Sequence, residues 1–173
     1  AEPLHVAPTG DDTAAGTARA PLATLQAALR AVGPHGGGEV VLHDGTWEDR
    51  QRIGGAFVRP VTIRAAHPGR AVLRECLVHM AENVVVEGIR FDGHDNPRVA
   101  NVCQVSQSGR VTLRDCDFTH GPGGHDNADS LKINDGSHHV LVDRCRFSDG
   151  TDEELDVLQA DVHDIVFRDS VFQ

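Results

Sequence analysis

A short pattern recurs four times along the chain and ends each time in phenylalanine. The four copies close at Phe91, Phe118, Phe147 and Phe172, which lie 27, 29 and 25 positions apart. Each copy alternates apolar and polar residues, turns a polar corner and adds a second short apolar step. Short strands that recur at such a period without helices between them predict a parallel β-helix, because each coil buries its inward side chains by stacking on its neighbours.

Two further strands are predicted ahead of the last two copies, at 131–133 and 155–157. If these strands stack with their leucines inward, Lys132 lies beside Asp156 on the outer surface, one strand spacing of about 4.8 Å away. Similar apolar steps at 40–42 and 61–63 are consistent with earlier coils. Residues distant in sequence are therefore expected to meet on one outer surface.

The N-terminal part of the chain has a helical pattern instead. Leu22, Leu25 and Leu29 recur at helical spacing, and Gly33 and Pro34 follow them as stop signals. We expect a helix at about 21–33 that covers the open N-terminal end of the solenoid. The predicted fold class is thus all-β: a right-handed parallel β-helix with an N-terminal capping helix.

The whole chain, 1–173, is expected to form a single domain. Residues 1–37 form the cap region and residues 38–173 form the coils. Phe172 completes a strand pattern and no amphipathic segment follows it, so we expect the C-terminal end to be uncapped. An uncapped coil exposes apolar core and strand edges. We therefore expect a second chain, or a C-terminal half, to complete the β-helix.

The composition excludes several classes of partner. A formal net charge of -10 argues against nucleic acid, which binds proteins through basic patches. No apolar run is long enough to cross a bilayer, so no membrane partner is expected. The four cysteines form no CxxC pair, so neither a zinc knuckle nor a redox site is indicated. The start AEPLHV fits either a mature secreted protein or a cytosolic one.

Two acidic clusters enter their strands at the same point of successive coils. The stretch SDGTDEELDV, at 148–157, contains five carboxylates in ten residues, and HDNADS, at 125–130, precedes the strand of the coil before it. Close carboxylates repel one another unless a cation intervenes, and oxygen ligands alone suit Ca²⁺. The carboxylates expected to converge around such a cation are Asp126, Asp129, Asp152, Glu153 and Asp156. The alternative is a set of separate, solvated carboxylates.

Lys132 is the only lysine of the chain, and it lies on the same predicted surface. One interpretation is that Lys132 binds a carboxylate of the substrate. The other is that Lys132 forms a salt bridge with Asp156 of the neighbouring strand.

The stretch from NADSLKINDGSHHVLVDRCRF to SDGTDEELDVLQADVHDIVFRDSVF, residues 127–172, resembles the calcium-dependent lyases of the pectate lyase superfamily. The N-terminal part, through GGGEVVLHDGTW, is similar to the cap and first coil of bacterial right-handed β-helix proteins. The resemblance implies that the calcium ligands are Asp129, Asp152, Glu153 and Asp156. Where the family has an acidic pair, this chain has Asn127 before Asp129, and the family's histidine is replaced by Arg144.

The resemblance implies a secreted enzyme that cleaves an acidic polysaccharide by β-elimination. Calcium would neutralise the uronate carboxylate and acidify the neighbouring proton, and an Arg or Lys would remove that proton. In the family that base comes from later coils, so we expect it from later coils or a second chain.

Two alternatives remain. One is an inverting hydrolase similar to polygalacturonases, which would use Asp129 with Asp152 and Glu153 as acid and base. The other is a non-catalytic carbohydrate-binding or structural β-helix.

Overall fold

The strands of the computed structural model stack in parallel into a solenoid of about five turns, so the predicted fold is confirmed. The structure describes residues 2–33, 36–94, 96–121, 128–150, 153–158 and 161–173, with only the backbone of residue 153. Within these ranges there is one helix, α1 (Leu25–Val32), and the strands are β1 (Leu4–Val6), β2 (Gly38–Leu42), β3 (Gly45–Trp47), β4 (Gln51–Ala65), β5 (Ala71–Leu73), β6 (Cys76–Glu87), β7 (Arg90–Asp92), β8 (Asn101–Ser106), β9 (Gly109–Arg114), β10 (Asp117–Thr119), β11 (Asp129–Asn134), β12 (His138–Asp143), β13 (Arg146–Ser148), β14 (Glu153–Val157), β15 (His163–Arg168) and β16 (Val171–Phe172).

The strands form three parallel stacks along the solenoid. The first stack contains the N-terminal parts of β4 and β6, followed by β8, β11 and β14. The second stack contains β1, β2, the C-terminal parts of β4 and β6, and then β9, β12 and β15. The third stack, a six-stranded sheet, contains β3, β5, β7, β10, β13 and β16. Because β4 and β6 run from the first stack into the second, these two stacks form one ten-stranded sheet.

The recurring phenylalanines form a ladder in the core. Phe91, Phe118 and Phe147 are fully buried, and Phe172 remains 47% exposed. Consecutive rings are stacked, with centroid separations of 4.8, 4.6 and 4.6 Å. The register predicted from the repeat is therefore the register of the third stack.

Each of the four cysteines is buried and free. Cys76 and Cys103 are neighbours in the first stack. At the corner before the third stack, the Cys145 thiol donates to the carbonyl of Leu113. Burial raises the pKa of the Cys116 thiol, and a buried, protonated thiol is a packing group and not a nucleophile.

The cap helix is shorter than predicted, because it begins at Leu25 and not near residue 21. The Thr24 hydroxyl accepts a hydrogen bond from the Ala27 amide and so caps the helix. Leu22 precedes the cap in an extended segment that bridges Val6 of β1. The helical spacing of Leu22 is thus coincidental, although α1 does pack against β4 as expected for a cap. Among the described residues, no helix is long and apolar enough to cross a membrane.

Candidate functional site

The outward side chains of the first stack form a straight row along the solenoid. Pairing of adjacent strands places the following residues in line: Arg52, Leu77, Gln104, Lys132 and Asp156. Alternation along each strand sends their neighbours, such as Cys103 and Leu131, into the core. The predicted pairing of Lys132 with Asp156 is confirmed by the register of β11 and β14. We call this set of five residues the outer row.

Lys132 is bound by two carboxylates. Its Nζ lies 3.1 Å from Asp129 Oδ2 and 2.8 Å from Asp156 Oδ2. The side chain of Lys132 is only 13% exposed, and those of Asp129 and Asp156 are 1% and 12% exposed. Burial lowers the pKa of Lys132, but the hydrogen bonds to both carboxylates outweigh it and leave the pKa raised. The salt bridge that the sequence offered as one interpretation is therefore present.

Further polar groups surround this ion pair. In the orientation that satisfies both ends of its amide, Asn101 donates to Asp129 Oδ2 at 2.9 Å. Gln104 Nε2 donates to Asn134 Oδ1 at 3.2 Å, which links β8 to β11. Within the described part of the chain, the buried Ser130 hydroxyl has no hydrogen-bond partner. A buried polar atom without a partner is costly, so Ser130 is a group that a bound ligand or water would satisfy.

The predicted calcium ligands fall into two groups. Asp152 and the side chain of Glu153 lie outside the described residues, although the backbone of Glu153 pairs with Asp129. Asp129 and Asp156 meet, but the ammonium of Lys132 fills the space between them. The ammonium offsets one of the two negative charges and occupies the space between them, so a calcium ion bound by both carboxylates would have to displace Lys132. The binding of calcium by residues 152 and 153 stays a prediction.

A cleft of about 380 Å³ opens at the N-terminal end of the outer row, between α1 and β4. Three basic side chains line it, Arg30, Arg52 and His79, beside apolar Phe57 and Leu77. Arg52 is exposed, and across the described residues its guanidinium has no carboxylate partner. The sequence offered no signal for this cleft, because its walls come from a helix and two strands that meet only after α1 docks.

A second set of charged residues was also missed by the sequence analysis. On the second stack, pairing places five residues of alternating charge in line: Arg64, Glu87, Arg114, Asp143 and Arg168. A signal for it exists, because four of these residues follow the apolar run at the same position of the four copies.

Asp143 is the centre of this charged line. It has no exposed side-chain surface, and its carboxylate lies 2.9 Å from Arg168 Nη2 and 3.0 Å from Arg144 Nη1. The hydrogen bonds from Arg168, with the nearby charge of Arg144, lower the pKa of Asp143 to about 2. Because Arg114 of the preceding coil and Arg168 of the following coil both donate to its carboxylate, Asp143 connects coils and is not suited to act as an acid or base.

Comparison with known proteins supports the fold. No protein-family model and no curated protein matches the chain. A solved structure of a rhamnogalacturonan lyase is similar to it, with a TM-score of 0.56 over 98% of this chain and 13% sequence identity. The chain spans 56% of the length of that lyase. At this identity the likeness shows a shared β-helix fold and nothing about the reaction.

Proposed function

We propose that this chain binds a uronate-containing polysaccharide along the outer row and the basic cleft, as part of a polysaccharide lyase. The observation that carries the proposal is the continuity of the two features: Arg52, whose guanidinium has no carboxylate partner among the described residues, belongs to both. In an acidic protein, such a cation is a natural contact for the carboxylate of a uronate, since guanidinium and carboxylate form paired hydrogen bonds.

Lys132 remains suited to contact the polymer despite its ion pairs. An ammonium has three N–H donors, and Asp129 and Asp156 accept two of those of Lys132. The third donor is free for a hydroxyl or carboxylate oxygen of a sugar. The two carboxylates also fix the position of Lys132, so little side-chain entropy is lost when a ligand binds.

The proposed reaction is β-elimination, which requires a neutralised uronate carboxylate and a base. Calcium, if bound by Asp152 and Glu153, would supply that neutralisation. Lys132 is protonated and carboxylate-bound, which disfavours it as the base. The base therefore belongs to residues outside this chain in the proposal, either in later coils or in a second chain. The structural neighbour is a rhamnogalacturonan lyase, so galacturonate-containing polymers are the first substrates to test.

Affinity electrophoresis of the purified chain in gels with polygalacturonate or rhamnogalacturonan tests the binding. We expect Arg52→Ala to weaken binding by about tenfold or more, the effect of losing a hydrogen bond to a charged group. The matched control is Arg146→Ala, because Arg146 is an exposed arginine of β13 on the third stack. Equal mobility of the two variants, or no retardation of the unmodified chain by either polymer, would refute the proposed surface.

Assays of the same samples separate the reaction classes. Ultraviolet absorbance of an unsaturated uronate, abolished by a chelator and restored by Ca²⁺, supports the lyase. New reducing ends without that absorbance support an inverting hydrolase instead. Binding without either product, when the chain is combined with the later coils or second chain proposed above, identifies a non-catalytic carbohydrate-binding β-helix.

A further inference from the structure

Histidines and an aspartate gather at one corner of the last two coils, away from the first stack. His138 and His139 begin β12, and His163 and Asp164 begin β15, at equivalent positions. The register pairs His138 with His163, which aligns His139 with Asp164. His139 and Asp164 adopt left-handed backbone angles, with φ of 52° and 56°. These left-handed residues interrupt the in-and-out alternation of the strand. The side chains of His138 and His139 on β12, and of His163 and Asp164 on β15, therefore all reach the outer surface.

The potential ligand atoms of this corner are already close together. His163 Nδ1 lies 2.8 Å from Asp164 Oδ2, and His139 Nε2 lies 3.6 Å from the same oxygen. One nitrogen from each histidine and one oxygen of Asp164 all lie within 4.8 Å of one another. Ligands about 2.0 to 2.1 Å from a tetrahedral zinc ion are roughly 3.3 Å apart, so small side-chain rotations would bring these atoms to coordination geometry.

We propose that His139, His163 and Asp164 form a binding site for a divalent transition metal of the zinc class. Two imidazoles and a carboxylate suit Zn²⁺, Ni²⁺ or Cu²⁺, whereas Ca²⁺ prefers oxygen ligands only. Three protein ligands leave a fourth position for water or an external ligand. The site is separate from the calcium site proposed for the first stack and does not depend on the proposed polysaccharide binding.

His138 supports the site from the adjacent position. Its Nδ1 lies 3.0 Å from Nδ1 of His139, a contact in which one nitrogen donates and the other accepts. With the proton on His139 Nδ1, the lone pair of His139 Nε2 faces Asp164. A second hydrogen bond of this type fixes the tautomer and orientation of metal-binding histidines.

Gly109 provides the room that His138 needs. A Cβ built at Gly109 would lie 2.3 Å from Cε1 of His138 and 2.5 Å from Oε2 of Glu82. The ring and the Glu82 carboxylate thus share the space above a residue without a side chain. The same corner of the preceding coil carries Arg110, which is bound to Glu82 at 2.6 Å, so the histidine cluster is confined to the last two coils.

A bound metal would join β12 to β15. The outer side chains of β15 are largely exposed, including Val166 at 52%, so this strand has fewer stabilising contacts than the strands before it. A ligand that binds only the folded state stabilises it. Metal binding is therefore expected to slow amide hydrogen exchange in β15 more than in β2 or β4.

Isothermal titration of the metal-free protein with ZnCl₂ tests the site. We expect one zinc ion per chain, and a loss of affinity of about tenfold or more in His163→Ala and in His139→Ala, with a smaller loss in His138→Ala. Excess CaCl₂ should not displace the zinc. Circular dichroism of each variant shows whether it is folded. The side chains of His139 and His163 are more than half exposed, so their removal should leave the fold intact.

Two matched controls exist on the same chain. His67 Nδ1 lies 2.8 Å from Asp44 Oδ1, an equally close histidine–aspartate pair with Arg70 nearby in place of a second histidine. His5 and His43 form a histidine pair at 3.0 Å. His67→Ala and His5→Ala should bind zinc as the unmodified chain does. The proposal is overturned if the unmodified chain binds no zinc, or if His163→Ala binds it as tightly as His67→Ala.

Discussion

Replacing Lys132 with methionine tests whether the ion pairs of the outer row stabilise the protein. The change removes an ammonium and leaves Asp129 and Asp156, 1% and 12% exposed, without their shared cation. Removing one partner of a buried ion pair costs about 3–5 kcal/mol. Because Lys132 and Asp156 keep some contact with water, we expect the lower end, about 3 kcal/mol.

Urea unfolding followed by circular dichroism measures this loss, and thermal unfolding should show a fall in Tm of roughly 6 to 12 °C. The matched control is Arg50→Met, because Arg50 pairs with Glu75 just ahead of β4 and β6 but is 48% exposed. An exposed pair contributes about 1 kcal/mol or less. If Lys132→Met costs no more than Arg50→Met, the stabilising role assigned to Lys132 is wrong.

The same variant also distinguishes two possible locations of calcium binding within the acidic clusters. Without Lys132, the ammonium between Asp129 and Asp156 is gone, so calcium should bind between these carboxylates and raise the Tm of Lys132→Met. A calcium site built from residues 152 and 153 would instead stabilise the unmodified chain and the variant alike. Replacing all three residues, as Lys132→Met with Asp129→Asn and Asp156→Asn, should recover much of the lost stability and abolish the response to calcium.

Three further predictions follow from the buried groups. The pKa of Lys132 is raised above 10.5 in the folded protein, so its contribution to the free energy of unfolding is complete below pH 10.5 and is lost as the pH rises through the folded pKa. Lys132→Met should flatten that alkaline loss of stability in urea unfolding measured at several pH values. The pKa of Asp143 is lowered from 3.8 to about 2, so its contribution is complete above pH 3.8 and is lost as the pH falls toward 2; Asp143→Asn should remove this part of the acid transition in the same assay. In the phenylalanine ladder, Phe118→Ala should cost about 4 kcal/mol and Phe172→Ala no more than about 2, because Phe172 is half exposed and stacks on one ring only; equal losses in urea unfolding would contradict this ranking.

The repeat determined the fold without further information. Four copies that close in phenylalanine specify which residues point inward, and one residue of slip would turn every apolar side chain outward. The register that brings Lys132 to Asp156 follows from stacking Leu131 on Leu155 with both side chains inward, and the structure confirms it. The approximate location of the cap helix followed from apolar spacing, but its start did not, because Leu22 satisfies the helical period while pairing with Val6.

The sequence could not determine which ion pairs, clefts and ligand sets the outer side chains form with their neighbours. The sequence left both a substrate contact and a salt bridge open for Lys132; the structure shows the ion pair, with Asp129 buried beside the ammonium. The cleft beside Arg52 depends on the docking of α1 against β4, and the histidine corner depends on left-handed turns in β12 and β15. Inward positions can be predicted from the alternation of apolar and polar residues along a strand, because apolar burial requires only that a side chain faces the core and is nearly independent of its exact geometry. Ion pairs and ligand sets depend on distances of a few ångströms between coils, which only the tertiary structure sets.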